Sequence, residues 1–247
     1  MIITSRKNPT IQWAYSLRDK KARDTEGVFF TEGKKLYDEG IMSGRVPVTA
    51  FVLKEYCNIK AGEVYEVSPE VYDKITDEKS PEGIFAVWKK PDFIGERKKS
   101  SVILLEELQD PGNMGTILRT AAAFGVREAV LVNCVDPYSP KAVRSSMGAV
   151  FKIPTTHFDS IDKAVEYSRK ITDSVIATAL HTDSNDISLT DTAYATIMIG
   201  NEGKGLSDRA VSLADSKAII PMENTESLNA SVAATIFMYD SMTKRKI

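Results

Sequence analysis

Residues 197–207 read IMIGNEGKGLS, an apolar run that breaks into three glycines and a lysine. The stretch looks like a phosphate-binding loop, but its spacing rejects that reading. A Walker A loop is G-x-x-x-x-G-K-[ST]. Gly200 and Gly205 stand at the right separation, yet Leu206 follows where lysine is required. A G-x-G-x-x-G fingerprint fails too, because Gly203 and Gly205 are followed by Asp208. The glycines therefore serve either a tight turn after a buried strand or another ligand that approaches the backbone closely.

Working outward, this stretch is one of several apolar runs that alternate with helical patterns. SVILLEEL, EAVLVN, SVIATAL, ATIMIG and KAIIPM read as strands. NMGTILRTAAAFG, SPKAVRSSMGAV, SIDKAVEYSRK, SDRAVSLA and SLNASVAATIFMYDSMTK read as helices, with Gly125 placed to end the first and Ser139 to cap the second. Continuous apolar strands between helices predict an α/β fold with a mostly parallel sheet covered on both faces. Ligands in such sheets sit at the carboxyl ends of strands. Three strands end in polar loop sequence: LLEELQDPGN, IMIGNEGKG and IIPMENTESLN.

Earlier in the chain, VFFTEGKKLYDEGI, TAFVLKEY, EVYEVS, SPEVYDKITD and GIFAVWK predict a smaller α/β module. KPDFIGERKKSS loses hydrophobic pattern and reads as a linker. The expected organisation is a domain over 1–90, a linker over 91–100 and a second domain over 101–247.

A chain of 247 residues with 43% hydrophobic and 27% charged residues has the composition of an ordinary globular protein. No apolar run approaches the roughly 18 residues that span a bilayer, and the N-terminus lacks the order of a signal peptide. Cys57 and Cys134, with only His157 and His181 to help, have no metal-ligand spacing. No metal site is expected, and a reduced, cytoplasmic compartment is. The net charge of −2 does not advertise a polyanion partner, but charge is locally clustered. Arg6, Lys7, Arg18, Lys20, Lys21, Arg23, Lys34 and Lys35 crowd the N-terminus. Smaller basic groups are Arg97–Lys99 and Lys244–Lys246. Local patches make an electrostatic footprint; each also reads as a solvated helix face or a polar linker.

Within the tails, Asn113 stands near a helix start, and Arg119 lies in an otherwise apolar helix, where a buried-leaning guanidinium needs an anion or an acid. Glu202 follows a strand end, where it can accept hydrogen bonds or pair with an arginine. Ser227 and Asn229 open the last helix; its free N–H groups favour polar ligands, and ordinary capping explains both residues equally.

Taken together, the three tails resemble the motifs of the SpoU/TrmH-type RNA ribose 2′-O-methyltransferases of the SPOUT superfamily. The first motif matches Asn113, Gly115 and Arg119. The second matches Gly200, Glu202, Gly203 and Gly205. The third matches Ile220, Pro221, Met222, Ser227, Leu228, Asn229, Ser231 and Ala233, with Ala230 where the family more often has valine. The likeness covers roughly residues 100–243. It implies a trefoil-knotted α/β domain that binds S-adenosylmethionine through Thr178, Gly200, Asn201, Gly203, Ile220, Met222 and Leu228. It implies catalytic or orienting roles for Arg119, Asn113, Glu202, Ser227 and Asn229, and homodimers with the site near the subunit interface.

A looser likeness, carried by SRKNP, LRDKKAR and FFTEGKK, makes the first domain a ribosomal-protein-like RNA-binding module. Arg6, Lys7, Lys20, Lys21, Arg23 and Lys34 are its candidate phosphate contacts. Ribosomal RNA is the first expected target and transfer RNA the second, with no membrane or DNA partner. A non-catalytic ribosome-assembly protein on this fold and a base methyltransferase are the rival readings.

The implied reaction is attack of a ribose 2′-oxygen on a sulfonium methyl, in which positioning contributes most. A hydroxyl needs its proton removed or its developing charge stabilised. Arginine is a poor base, so Arg119 is expected to bind RNA phosphate and stabilise the forming alkoxide. The donor site is expected to need only the second domain.

Overall fold

In the computed structural model, residues 2–77, 80–91, 99–179, 184–225 and 227–245 are described. The segment read as a linker falls largely outside them, as do Arg97, Lys98, Lys246 and His181. The chain divides into two compact units, Met1–Pro91 with Tyr138–Lys152, and Asp92–Pro137 with Ile153–Ile247.

The first unit contains α1 (Pro9–Ser16), α2 (Lys20–Glu26), β1 (Val28–Glu32), α3 (Lys34–Met42), β2 (Thr49–Val52), β3 (Glu63–Glu66), α4 (Pro69–Ile75) and β4 (Ile84–Lys89). Its sheet has the order β1-β4-β2-β3 and is mixed, with only β2 and β3 parallel. Side chains alternate across a strand, and both faces are covered. Phe30, Phe51 and Phe85 face Ile11, Leu17 and Ile75 from the helices, and Phe30 stacks on Phe85 at 4.6 Å. On the other face Trp88 donates to Thr31 Oγ1 at 2.9 Å. A Cβ on Gly40 would lie 2.4 Å from the Trp88 ring, so α3 packs flush on that indole only with glycine there.

The N-terminal stretch, read from sequence only as a basic segment, contains two short helices. Asn8 caps α1 by accepting from Thr10 N–H at 2.9 Å, with Pro9 in the first turn.

The second unit carries β5 (Val102–Glu106), α5 (Pro111–Ala123) and β6 (Glu128–Val132). The chain then leaves for α6 (Pro140–Ser146), which packs in the first unit. It returns as β7 (Thr155–Phe158), α7 (Ile161–Ser168), β8 (Ser174–Thr178), β9 (Asn185–Asp186), β10 (Ala195–Ile199), α8 (Asp208–Leu213), β11 (Ser216–Ile219) and α9 (Ala230–Lys244). The sheet order is β7-β6-β5-β10-β8-β11-β9, and every pairing is parallel.

Alternate strand residues serve the two faces. Val102, Leu104, Val130, Val175 and Met198 join Ala164, Val165 and Ala210 from α7 and α8 in one core. Across the sheet, α9 packs against α5 and β10, and Ser101 and Ser241 hydroxyls meet at 2.8 Å. From β10 the chain passes to β11 beyond β8, then comes back as α9. The loops after β10 and β11 consequently converge.

The segment Tyr138–Lys152, expected in the second domain, belongs with the first unit. Phe151 meets Phe29 at 5.3 Å and Trp88 edge-on at 4.8 Å, and Tyr138 meets Phe29 at 5.1 Å. These aromatics cover the sheet face that α3 leaves open. The helical reading of 139–150 holds as an α-helix over Pro140–Ser146, with a 3-10 turn at Ala149–Phe151. Between them the chain enters left-handed backbone at Met147 (φ 50°) and Gly148 (φ 88°).

Candidate functional site

The three polar tails meet at the carboxyl ends of β5, β10 and β11. The first begins with Glu106 and Glu107, the latter in left-handed backbone with φ 54°. Asp110 then caps α5, accepting from Asn113 N–H at 2.9 Å, with Pro111 in the first turn. Asn113, expected near the cap, is therefore the third residue of the helix. Its side chain is free to reach another tail.

That reach links all three. Asn113 Nδ2 donates to Glu202 at 3.0 Å, and Asn113 Oδ1 accepts from Asn229 Nδ2 at 3.1 Å. Asn229 Oδ1 in turn accepts from Ser231 N–H at 2.9 Å and Ser231 hydroxyl at 2.7 Å, capping α9. The Glu202 carboxylate also accepts from Gln109 N–H at 3.2 Å and Asp110 N–H at 3.1 Å. Burial pushes the Glu202 carboxyl up, but the hydrogen bonds from Asn113 and the backbone outweigh it and leave it below the ordinary glutamate range. Of the two partners expected for Glu202, hydrogen-bond donors fill the place and, among the described residues, no arginine does. The charge fixes the direction of the chain: a carboxylate accepts only, so Asn113 must turn its amide nitrogen toward it.

The glycine loop is a hairpin. Asn201 N–H donates to Gly205 O at 3.0 Å and Gly205 N–H to Asn201 O at 2.9 Å. A Cβ on Gly200 would lie 2.1 Å from the Gly205 carbonyl carbon, so this crossing excludes any other residue. Asn201 Oδ1 accepts from Gly203 N–H at 2.9 Å and Lys204 N–H at 3.1 Å, while its Nδ2 donates to Glu107 O at 2.9 Å.

Beside this loop lies a cavity of about 380 Å³. Thr178, Gly200, Asn201, Gly203, Ile220, Met222 and Leu228 all line it, as do Glu202 and Ser227. Leu206, Val211, Ala218 and Phe237 add apolar wall that the sequence reading did not single out. Thr178 turns its hydroxyl to Met198 O at 2.8 Å. Among the described residues, Glu202 and Lys204 are the only charged side chains in the lining. Apolar walls with exposed loop backbone suit a flat, neutral base and a short aliphatic chain. A triphosphate would need a cluster of cations, and none lines the cavity. Cys134 supplies no nucleophile: burial pushes its thiol up to about 11, and Sγ donates to Leu105 O at 3.2 Å.

Arg119 departs from its expectation. It is exposed on the outer face of α5, with Met114, Ile117, Leu118 and Ala121 turned inward. The apolar neighbours in sequence belong to the helix's other side, since residues three and four apart share a face. Its guanidinium has no partner among the described residues.

The basic candidates of the first unit do not form one cluster. Arg6, Lys7, Lys20, Lys21 and Lys34 are exposed. Lys20 and Lys21 open the helix before β1, whereas Lys34 opens the helix after it and pairs with Asp38 at 2.5 Å. Arg6 Nε donates to Glu70 O at 2.8 Å. Arg23 must be withdrawn as a phosphate contact. It is 2% exposed, and its guanidinium donates to the carbonyls of Leu17 at 2.7 Å and Arg18 at 2.6 Å. The basic C-terminus is likewise structural: Arg245 donates to Phe124 O and Gly125 O at the end of α5, and Lys244 to Ile187 O and Thr190 O. Lys99 pairs with Asp173.

Comparison with known proteins adds the following. Residues 100–239 match the SpoU rRNA Methylase family, and residues 8–86 match the MRM3-like substrate binding domain. The chain is 31% identical to an uncharacterized tRNA/rRNA methyltransferase of Synechocystis, over 97% of this chain and 92% of that one. It is 29% identical to the 23S rRNA (guanosine(2553)-2′-O)-methyltransferase of Bacillus subtilis, over 96% of this chain and 97% of that one. Among solved structures, the AdoMet-bound rRNA methyltransferase of Sinorhizobium meliloti superposes with a TM-score of 0.87 at 28% identity, over 98% of this chain and 97% of that one.

Proposed function

Since the chain belongs to the SpoU rRNA methylase family, we propose that it is an S-adenosylmethionine-dependent methyltransferase acting on a ribose 2′-hydroxyl of ribosomal RNA. The single observation that carries this reading is the convergence of three strand tails on one cavity through the Glu202–Asn113–Asn229 chain. The donor supplies an activated methyl group. Thr178, Gly200, Asn201, Gly203, Ile220, Met222 and Leu228 hold it, largely through backbone and apolar contact, which suits a cavity with so little charge.

The chain's own contribution to chemistry is positioning and charge stabilisation. Arg119 presents a planar guanidinium to solvent, unpaired among the described residues, able to take a phosphate of RNA and to offset charge that grows on the 2′-oxygen. Asn113 and Asn229, oriented by the Glu202 carboxylate, hold the starts of α5 and α9 in fixed relation. Ser227, at the cavity's edge, orients the ribose. Proton acceptance falls to phosphate or water, for the described residues bring no free base beside Arg119.

The first unit recognises RNA, with Arg6, Lys7, Lys20, Lys21 and Lys34 as its exposed phosphate contacts; such contacts position RNA without reading sequence. The active form is a homodimer. Val232 and Tyr239, 46% and 53% exposed, share the outer face of α9, and Tyr239 meets Phe124 edge-on at 5.6 Å. This apolar stripe lies on the helix pair that carries Arg119, so pairing it would set a second copy beside the site. The enzyme works in the reducing cytoplasm, in keeping with free Cys57 and Cys134; no described helix is long and apolar enough to cross a membrane.

Deleting the gene and mapping 2′-O-methyl groups across total RNA tests the reading. One ribosomal RNA position should lose its methyl group and regain it on complementation. Loss confined to transfer RNA would replace the target, and an unchanged map would remove the activity.

A further inference from the structure

Glu106 ends β5 and is 7% exposed. Its two oxygens serve one residue: Oε2 accepts from Ser207 N–H at 2.8 Å and Oε1 from the Ser207 hydroxyl at 2.8 Å. A buried carboxylate is costly unless its lone pairs are filled, and among the described residues Ser207 fills these. Ser207 is also where the glycine loop ends. It caps α8, its Oγ accepting from Ala210 N–H at 3.1 Å.

The loop's opening stem is held separately, by Asn201 on Glu107 O and by Glu202 on the backbone of Gln109 and Asp110. Both stems are therefore staked to the end of the same strand, and Gly203, Lys204, Gly205 and Leu206 between them line the cavity. A glycine-rich loop without anchors has wide backbone freedom, and a ligand that binds it must meet the cost of ordering it.

We propose that Glu106 is a positioning residue for the methyl donor, holding the closing stem of the glycine loop through Ser207 so that the cavity exists before the donor arrives. The inference rests on reading this cavity as the donor site. Glu106 does not line the cavity, so its effect falls on donor affinity and leaves the transfer step alone.

The test is calorimetric titration of the full chain with S-adenosylmethionine and with S-adenosylhomocysteine, for wild type, Glu106→Gln, Glu106→Ala and Ser207→Ala. Loss of a hydrogen bond to a charged group predicts donor binding about tenfold weaker in Glu106→Ala. Glu106→Gln keeps an acceptor for the Ser207 N–H and should lose less. Ser207→Ala, milder at an exposed position, carries the test if Glu106→Ala fails to fold. In the donor-free protein, the amides of Gly203–Leu206 should exchange hydrogen faster in the variants. Single-turnover transfer at saturating donor should stay within about twofold of wild type, as expected when only uniform binding is lost. Folded variants with wild-type affinity and wild-type loop exchange would overturn the proposal, and so would a slower transfer step at unchanged affinity. If the wild type itself binds no donor, the functional reading fails instead, and the loop's exchange still reports whether Glu106 holds it.

Discussion

At the scale of single residues, Arg119 and Arg23 show what one sequence can and cannot tell. Both stand among residues that mislead. Arg119 is flanked by Ile117, Leu118 and alanines, yet its own face of α5 looks outward. Arg23 is surrounded by Lys20, Lys21 and Asp24, yet it folds inward to close the α1–α2 corner with two carbonyls. Sequence neighbours of a helical residue lie about 100° away around the axis, so local composition is a poor guide to exposure. Of the second-tail glycines, Gly200 was legible for a steric reason, having no room for a Cβ, and Gly205 for its positive φ of 72°. Glu106 and Ser207 were not, since nothing in either one's surroundings names its partner. The exposed guanidinium of Arg119, without a partner among the described residues, is proposed to serve chemistry and not donor binding. Arg119→Ala should bind S-adenosylmethionine nearly as wild type but transfer methyl roughly 10²-fold more slowly, the scale of losing one transition-state stabiliser. Arg119→Lys should recover little, because an ammonium lacks the planar fork. Single-turnover rates at saturating RNA and donor check this; a wild-type rate for the alanine variant would remove the catalytic assignment.

At the scale of elements, the apolar central strands were legible and the polar edges were not. β5, β6, β8 and β10 are carried by runs of buried aliphatic residues. β7, Thr155–Phe158, and the two-residue β9 sit at the sheet's edges in parallel pairing, and with Phe158 as the one apolar side chain between them they leave little hydrophobic signature. Assignment of an element to a domain was less legible still. The segment Tyr138–Lys152 reads as one more helix of the alternating pattern, but its aromatics pack on Phe29 and Trp88. Pattern shows that a face is apolar and does not show which core it enters. This takes residues 138–152 out of the second domain expected over 101–247. In a fragment beginning at Ser100, residues 138–152 lose their partners, a loss comparable to the roughly 3–5 kcal/mol of truncating a buried Phe. Hydrogen exchange should then show that segment unprotected. Donor affinity should persist, because every residue lining the cavity lies outside it. Full-length protection of 138–152 in the fragment would contradict the packing account.

At the scale of the whole molecule, the two units divide the labour that the proposed reaction demands. One offers exposed basic groups for a polyanion, the other a cavity with little charge for the proposed methyl donor, and neither property is visible in a net charge of −2. The parallel sheet delivers three sequence-distant loops to one end, where a carboxylate and two amides tie them together. The most direct measurement is methyl transfer from labelled S-adenosylmethionine, by the purified protein, to total RNA from cells lacking it. A 2′-O-methyl group removes the nucleophile of alkaline cleavage, so its nucleotide survives alkaline digestion joined to its neighbour. The account predicts label in ribosomal RNA, released by alkali as a resistant dinucleotide. Label released as a methylated mononucleotide, or none above an unprogrammed control, would contradict it.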